Sequence, residues 1–226
     1  MCTSIVVNKK KTIVGWNLDL LDMEYRVRPA ESGVFIEIND AKEGWLPLFG
    51  ANSRGDFVGM PTCWPFDKRS DPSENGLNVI MLDIDLLLQK KTLQQIKALA
   101  ESNPVCSVPG VTFMSALSDK EGNVLHIVPG QGCLYYEKPD YKILTNFSPF
   151  KQDAQTHPWM GWDRYQKAES MLREAKDDLT LTVALRSCGP FHRRSAPRSY
   201  PWCLTWMKEQ FTGAKTGTGM GYETCV

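Results

Sequence analysis

Short apolar runs closed by polar turns fill the first sixty residues, and they constrain the fold more than any other feature of the chain. Residues 5–7 and 12–14 are rich in Ile and Val and flank the polar turn 8–11, which is the pattern of a β-hairpin. Similar apolar runs follow at residues 34–38, 46–50 and 57–60. The sequence therefore predicts antiparallel strands throughout this part of the chain.

Helical patterns and further strands follow a polar, proline-containing loop at residues 62–75. The run 82–89 predicts one helix, and Thr92 with Gln95 forms a capping box that predicts the start of a second. Strand patterns return at residues 112–117, 124–128, 133–136 and 141–144, and a last helix begins near Asp163. The order of strands, helices, strands and helix favours an α+β fold with mainly antiparallel sheets.

The composition is that of a globular protein, with 226 residues, 42% apolar residues, 23% charged residues and a formal net charge of zero. This length fits one large domain. The charge balance gives no indication of a nucleic-acid or anionic-membrane partner. Because the chain has no long apolar run and no apolar leader ahead of residues 9–11, we expect a cytoplasmic protein.

The sequence changes character near residue 185. Residues 186–226 contain six Lys or Arg residues and two acidic ones, so this segment is basic, and its end is rich in Gly and Thr. We therefore divide the chain into one folded domain at residues 1–185 and a basic, atypical C-terminal segment at residues 186–226. The segment is open to three interpretations, namely an interaction arm, a solvated tail, or an altered or frame-disrupted end.

The cysteines do not form a metal-binding or disulfide pattern. There are seven, widely spaced and without a Cys-x-x-Cys pair, and only three histidines accompany them. We expect no metal and no organic cofactor. Most of the cysteines are best read as small buried residues, whereas Cys2 stands apart because of its position.

Cys2 follows the initiator Met1, so its position has a chemical consequence. Removal of Met1 would place an α-amine on the residue that carries the thiol. An α-amine has a pKa near 8 and can be neutral at physiological pH, so it can act as the general base for its own thiol. Chance placement of a cysteine at the second position is the competing interpretation.

A series of motifs in order along residues 1–180 distinguishes between these interpretations. The motifs are Cys2-Thr3 before a hairpin, Gly15-Trp16-Asn17-Leu18-Asp19, Asn52-Ser53-Arg54-Gly55, the capped helix that ends at Asn103-Pro104-Val105, Ser118-Asp119-Lys120-Glu121-Gly122, Ile143-Leu144-Thr145-Asn146 and Asp163-Arg164-Tyr165. Together they resemble the choloylglycine hydrolase and penicillin V acylase family and the related acyl-CoA:6-aminopenicillanic acid acyltransferase family. Both are families of N-terminal nucleophile hydrolases.

The resemblance implies a fold and a chemistry. The fold is an αββα sandwich of four layers, with two antiparallel sheets between helices. The activity is hydrolysis of a linear, non-peptide amide in a small N-acylated substrate. Cys2 would be the nucleophile, Asp19 would hold its α-amine, Asn146 would donate its side-chain amide to the oxyanion, and Arg164 would lie near the nucleophile.

The sequence also departs from the family pattern. Trp16 occupies a position where the bile-salt and penicillin acylases carry arginine, and we expect it to offer a flat apolar wall to the substrate. Thr62 falls, by counting, at the second oxyanion or substrate-contacting position. The final strands of the family are not recognisable after Leu185, so we expect an exposed sheet edge that favours association, including formation of a homo-oligomer.

Alternatives remain open. An acyltransferase would use the same acyl-enzyme and an amine in place of water. A catalytically inactive relative could act as a binding or assembly protein. In that case Asp19, Asn146 and Arg164 would be an ordinary strand-end acid, a turn residue and a first-turn helix residue.

Overall fold

The computed structural model describes residues 2–9, 11–18, 24–150, 160–174 and 204–209, with the backbone alone described for Leu18 and residues 204–209. These ranges contain three α-helices and thirteen strands. The strands are β1 (Cys2–Asn8), β2 (Thr12–Leu18), β3 (Tyr25–Ala30), β4 (Gly33–Asp40), β5 (Gly44–Asn52), β6 (Phe57–Gly59), β7 (Leu77–Asn78), β8 (Val105–Cys106), β9 (Ser115–Ser118), β10 (Val124–Val128), β11 (Gly132–Tyr136), β12 (Tyr141–Leu144) and β13 (Leu204–Glu209). The helices are α1 (Val79–Leu87), α2 (Leu93–Ser102) and α3 (Trp162–Glu174).

Strand β1 lies in the interior of the smaller sheet, whose strand order is β12-β1-β2-β13. All of its pairs are antiparallel, and they set Cys2 opposite Leu18 on β2 and Ser4 opposite Leu144 on β12. The predicted N-terminal hairpin is therefore confirmed. Strand β1 has a partner on each side, and Cys2 itself is held by the ladder with β2, because the ladder with β12 ends at Ser4.

Strand β13 corrects one expectation about the C-terminal segment. No strand is recognisable there from the sequence after Leu185, yet the backbone of residues 204–209 pairs with β2. The ladder uses backbone groups that every residue except proline offers, so pairing can occur without a clear apolar pattern. The remainder of the segment lies outside the described residues, and the division at residue 185 stays a sequence prediction.

The larger sheet has seven antiparallel strands in the order β11-β10-β9-β6-β5-β4-β3. Strand β3 has no counterpart in the hydrophobic pattern, because it carries arginines and Pro29. In the structure it is an edge strand, where proline is tolerated. Arg26 and Arg28 on β3 bind Glu37 on β4 at 2.7 Å and 2.5 Å. These ion pairs hold the edge without requiring apolar residues.

One buried cluster of side chains packs against each face of the larger sheet. Val6 and Trp16 of the smaller sheet meet Ile36 and Phe57 of the larger one in the cluster between the sheets. On the outer face of the larger sheet, Phe35 packs with residues of α1 and α2. The larger sheet is thus covered on both faces.

Helix α3 covers the outer face of the smaller sheet. Ala168 and Leu172 of α3 pack against Ile5 and Ile143, all of them buried. The layers therefore run α1 and α2, larger sheet, smaller sheet, α3. This arrangement confirms the predicted αββα sandwich.

Helices α1 and α2 each begin directly after a residue whose side chain caps the first turn. The capping box of α2 is confirmed, because Gln95 N donates to Thr92 Oγ1 and Thr92 N donates to Gln95 Oε1. Helix α1 begins three residues earlier than predicted, since the Asn78 side chain accepts a hydrogen bond from Ile80 N at 2.8 Å. None of the helices in the described ranges has the length and apolar character needed to span a membrane.

Candidate active site

Cys2 lies at the first position of β1, in the layer between the two sheets. Its side chain belongs to the inter-sheet cluster and the residue is 6% exposed. Side chains alternate along a strand, so Thr3 points away from Cys2, toward the layer of α3. The Cys2 thiol and the Thr3 hydroxyl therefore lie on opposite faces of the smaller sheet.

The side chain of Asn146 accepts a hydrogen bond from the backbone nitrogen of Cys2. The register of β1 and β12 runs from Val7 opposite Tyr141 to Ser4 opposite Leu144. Asn146, two residues beyond β12, consequently lies beside the start of β1. Cys2 N donates to Asn146 Oδ1 at 2.8 Å, and Asn146 is fully buried. This nitrogen is the atom that removal of Met1 would convert into an α-amine.

The other side of the Asn146 amide is held by Thr62. Asn146 Nδ2 donates to Thr62 O at 2.8 Å and to Thr62 Oγ1 at 3.1 Å. The main chain is held as well, because Trp64 N donates to Asn146 O at 2.7 Å. An oxyanion would have to replace the longer of the two Nδ2 contacts, so the oxyanion role of Asn146 stays a prediction. The structure brings Thr62 into the site through Asn146.

Arg164 reaches the same point from α3. It is 2% exposed although it lies in the first turn of the helix. Its Nη2 donates to Asn146 Oδ1 at 2.6 Å, and its Nη1 donates to Thr3 Oγ1 at 2.8 Å and to the carbonyl oxygen of Cys2. A buried guanidinium needs hydrogen-bond acceptors to offset its loss of hydration, and here Cys2, Thr3 and Asn146 supply them. The structure thus joins Cys2, Asn146, Arg164 and Thr62 in one cluster.

Gly161 leaves the space that this cluster requires. Its φ of +89° is a left-handed conformation that glycine adopts readily. A Cβ atom at this position would lie 2.8 Å from Arg164 Nη2, 3.0 Å from Asn146 N and 3.1 Å from Thr145 Cβ. Sequence reasoning missed Gly161 and Thr3. The available signals were the glycine directly before the helix and the Cys-Thr start.

Trp16 has a different environment from the one predicted. It is 1% exposed and packs on Phe49 with ring centroids 4.4 Å apart. The prediction that Trp16 presents an open wall to the substrate is therefore corrected, because other side chains of the inter-sheet core cover the indole. Its Nε1 and the neighbouring Ser4 Oγ are buried, and neither has a hydrogen-bond partner in the part of the chain that the structure describes. Gly59 approaches both residues closely, since a Cβ there would lie 3.2 Å from Ser4 Oγ.

Asp19 lies outside the described residues, so its predicted role at the α-amine stays a prediction. It directly follows Leu18, the register partner of Cys2. Within the described ranges, no group of three or more His, Cys, Asp and Glu side chains is arranged to hold a metal ion.

Comparison with known proteins rests on structure. No family model matches the sequence, and no curated protein matches it. An N-acylethanolamine-hydrolyzing acid amidase ortholog from Caenorhabditis elegans matches with 16% identity and a TM-score of 0.57, covering 91% of this chain and 92% of that chain. A conjugated bile acid hydrolase from Clostridium perfringens matches with 11% identity and a TM-score of 0.61, covering 92% and 89%.

A third solved structure, penicillin V acylase from Agrobacterium tumefaciens, matches with 13% identity and a TM-score of 0.54 and covers 91% of this chain and 79% of that chain. At these identities the likeness establishes the fold. This chain has the fold of the N-terminal nucleophile hydrolases.

Proposed function

We propose that this chain is a cysteine-dependent hydrolase of linear, non-peptide amide bonds in small N-acylated molecules. The observation that carries the proposal is the 2.8 Å contact between the Cys2 nitrogen and Asn146 Oδ1, with Arg164 on the same oxygen. Removal of Met1 makes that nitrogen an α-amine on the residue that holds the thiol. The fold supports the proposal, because three of the matching structures are named as an amidase, a hydrolase and an acylase.

The first half of the reaction is acylation of Cys2. The neutral α-amine takes the thiol proton, and Sγ forms a bond to the carbonyl carbon of the amide as the carbonyl electrons move onto oxygen. The ammonium then returns the proton to the amide nitrogen. The C–N bond breaks, the amine leaves, and a thioester remains on Cys2.

The second half restores the enzyme. The α-amine takes a proton from water while the water oxygen attacks the thioester carbon. The C–S bond breaks, the sulfur recovers its proton, and a carboxylic acid leaves. No metal or organic cofactor enters either half. If an external amine replaces water at this step, the same acyl-enzyme gives acyl transfer.

The surrounding residues have positioning roles in this proposal. Asn146 Oδ1 directs the α-amine, and Thr62 fixes the orientation of the Asn146 amide. Arg164 holds Asn146 and places a positive charge near the amine, which favours the neutral, basic form. Asp19 is assigned to the same amine from the sequence alone.

Intact-mass spectrometry after incubation with an alkyl β-lactone, which acylates thiolates, tests the proposal. We expect the purified protein to lack Met1 and to gain one acyl group per chain. Cys2→Ala should gain none at this position, whereas Cys133→Ala, which alters a half-buried cysteine elsewhere, should react like the parent. Release of the amine from fluorogenic N-acyl amides should follow the same pattern.

Two outcomes would contradict the proposal. Retention of Met1 in the mature protein removes the α-amine and with it the general base. Equal acylation of the parent and Cys2→Ala would place the reactive thiol elsewhere, and the inactive-relative interpretation would then be preferred.

A further inference from the structure

A cavity of about 530 Å³ runs alongside β12, between β10 and β11 on one side and α3 on the other. Its volume lies in the range of small-molecule sites. Among the described residues, its lining does not include Cys2, Asn146 or Arg164. The described lining of the cavity thus differs from the cluster around the proposed nucleophile, although Thr145 and Phe147 flank Asn146 in the chain.

One side of the cavity is an aromatic wall formed by Phe147, Trp162 and Tyr165. Trp162 and Tyr165 are stacked, with centroids 5.5 Å apart and planes at 6°. The Phe147 ring meets both edge-on, at 5.4 Å and 5.5 Å. Rings held in this way offer a preformed apolar surface with little conformational entropy to lose on binding.

The other side is a polar wall formed by Lys142, Tyr136 and His126. Lys142 Nζ lies 3.7 Å from the centroid of the Tyr136 ring, and His126 packs edge-on against the same ring at 5.6 Å. Burial and the nearby Lys142 charge lower the pKa of His126 to about 3, so the imidazole is neutral at physiological pH. Its Nδ1 is buried and has no hydrogen-bond partner among the described residues.

Among the described residues that line the cavity, Lys142 carries the positive charge that no carboxylate neutralises. Arg173 at the rim is neutralised by Glu169 at 3.0 Å and also donates to the Tyr141 hydroxyl at 3.3 Å. Within the described residues Lys142 forms no ion pair, and partial burial lowers its pKa. A half-buried ammonium attracts an anion more strongly than a fully solvated one, because the effective dielectric around it is lower.

We infer that this cavity binds a small amphipathic carboxylate, with its apolar body on the aromatic wall and its carboxylate on Lys142. Among the described lining residues, Lys142 is the one cation without an ion pair, and a single positive charge matches a carboxylate better than a phosphate dianion. The site goes beyond the proposed hydrolase function and does not depend on it, because Cys2, Asn146 and Arg164, proposed catalytic residues that the structure describes, do not line it.

Calorimetric titration of the full-length chain with phenylbutyrate tests this inference, with phenylbutanol as the uncharged counterpart of similar shape. For a ligand of this size we expect a dissociation constant on the order of 0.1–1 mM. Lys142→Gln should weaken phenylbutyrate binding about tenfold or more, and Lys142→Arg should retain it. Trp162→Leu should weaken both probes, because it removes part of the aromatic wall.

Lys97→Gln is the matched control. Lys97 lies over Tyr135, the neighbour of Tyr136 on β11, at 5.3 Å, but it is paired with Glu101 at 2.9 Å and does not line the cavity. We expect this variant to bind phenylbutyrate like the parent. Cys2→Ala should also bind normally, which separates this site from the proposed nucleophile whether or not the chain is a hydrolase.

Four results would overturn the inference. The first three are phenylbutanol binding as tight as phenylbutyrate binding, Lys142→Gln binding like Lys97→Gln, and no detectable heat with the parent at concentrations of about 10 mM. Loss of binding in Cys2→Ala would also overturn it, because the probe would then occupy the cluster around Cys2.

Discussion

Arg164 Nη2 lies 2.6 Å from Asn146 Oδ1, the same oxygen that accepts the hydrogen bond from the backbone nitrogen of Cys2. One amide oxygen thus joins a helix, the end of a strand and the start of the chain. Because Arg164 is buried, its charge acts on this point with little screening by solvent. The predictions for Arg164, Gly161 and Thr62 follow from this arrangement.

Replacement of Arg164 should change the pH dependence of amide hydrolysis. In Arg164→Met the α-amine loses a neighbouring positive charge, so we expect the acid limb of the kcat/KM profile to move up by roughly one pH unit. Activity at the optimum should fall about 100-fold or more. Arg164→Lys keeps the charge and should keep the limb near that of the parent. An unshifted limb in Arg164→Met would contradict the electrostatic role of this residue.

Gly161→Ala should reduce activity by displacing Arg164. The added Cβ would lie 2.8 Å from Arg164 Nη2, so we expect kcat to fall about tenfold or more. Gly110→Ala is the control, because Gly110 has a similar φ of +76° but no described residue beyond its chain neighbours has an atom within 4 Å of the added Cβ. Both variants carry backbone strain, so equal losses of kcat would show that strain alone is responsible.

Thr62 should act through its hydroxyl on the Asn146 amide. Thr62→Val removes Oγ1 at nearly constant shape and leaves the contact from Asn146 Nδ2 to the backbone oxygen of residue 62. We expect kcat to fall by roughly three- to tenfold with little change in KM. Thr62→Ser retains a hydroxyl and should remain within about twofold of the parent. A rise in KM alone in Thr62→Val would instead indicate direct contact with the substrate.

His126 should make folding stability dependent on pH. Its pKa in the folded chain is about 3, below its ordinary value of 6.5. As pH falls, His126 therefore binds a proton in the unfolded chain at a higher pH than in the folded chain. This stabilises the unfolded chain relative to the fold. Between about pH 6.5 and about pH 4 we expect the free energy of unfolding to drop by roughly 3 kcal/mol from this residue. Chemical denaturation at both pH values provides the measurement.

The His126→Gln variant isolates that effect. It cannot protonate in this range, so its free energy of unfolding should vary less between the two pH values than that of the parent. Any remaining dependence belongs to other groups, among them buried Asp83, whose pKa is raised by burial and which acts in the opposite sense. Identical pH dependence in the parent and in His126→Gln would contradict the buried, neutral state of the imidazole.

Local patterns in the sequence determined much of the fold. The β1–β2 hairpin and the capping box at Thr92 depend on residues within a few positions of one another, so their geometry is fixed by short-range backbone sterics and hydrogen bonds. Strand β3 was not predicted, because what stabilises it is not local in sequence. Its arginines and Pro29 favour an edge strand only when Glu37 lies on the adjacent strand, which tertiary packing decides.

The sequence suggested some features of the candidate site, and only the tertiary structure shows the others. Its position in the sequence singled out Cys2, and the family resemblance suggested Cys2, Asn146 and Arg164 as site residues. Only the tertiary structure decided that Arg164 is buried on Asn146 rather than solvated on a helix, that Gly161 makes room for it, and that Trp16 is enclosed by the core. Cys2 and Asn146 are 144 residues apart along the chain. Such contacts depend on how sheets and helices pack, and no pattern of neighbouring residues encodes them.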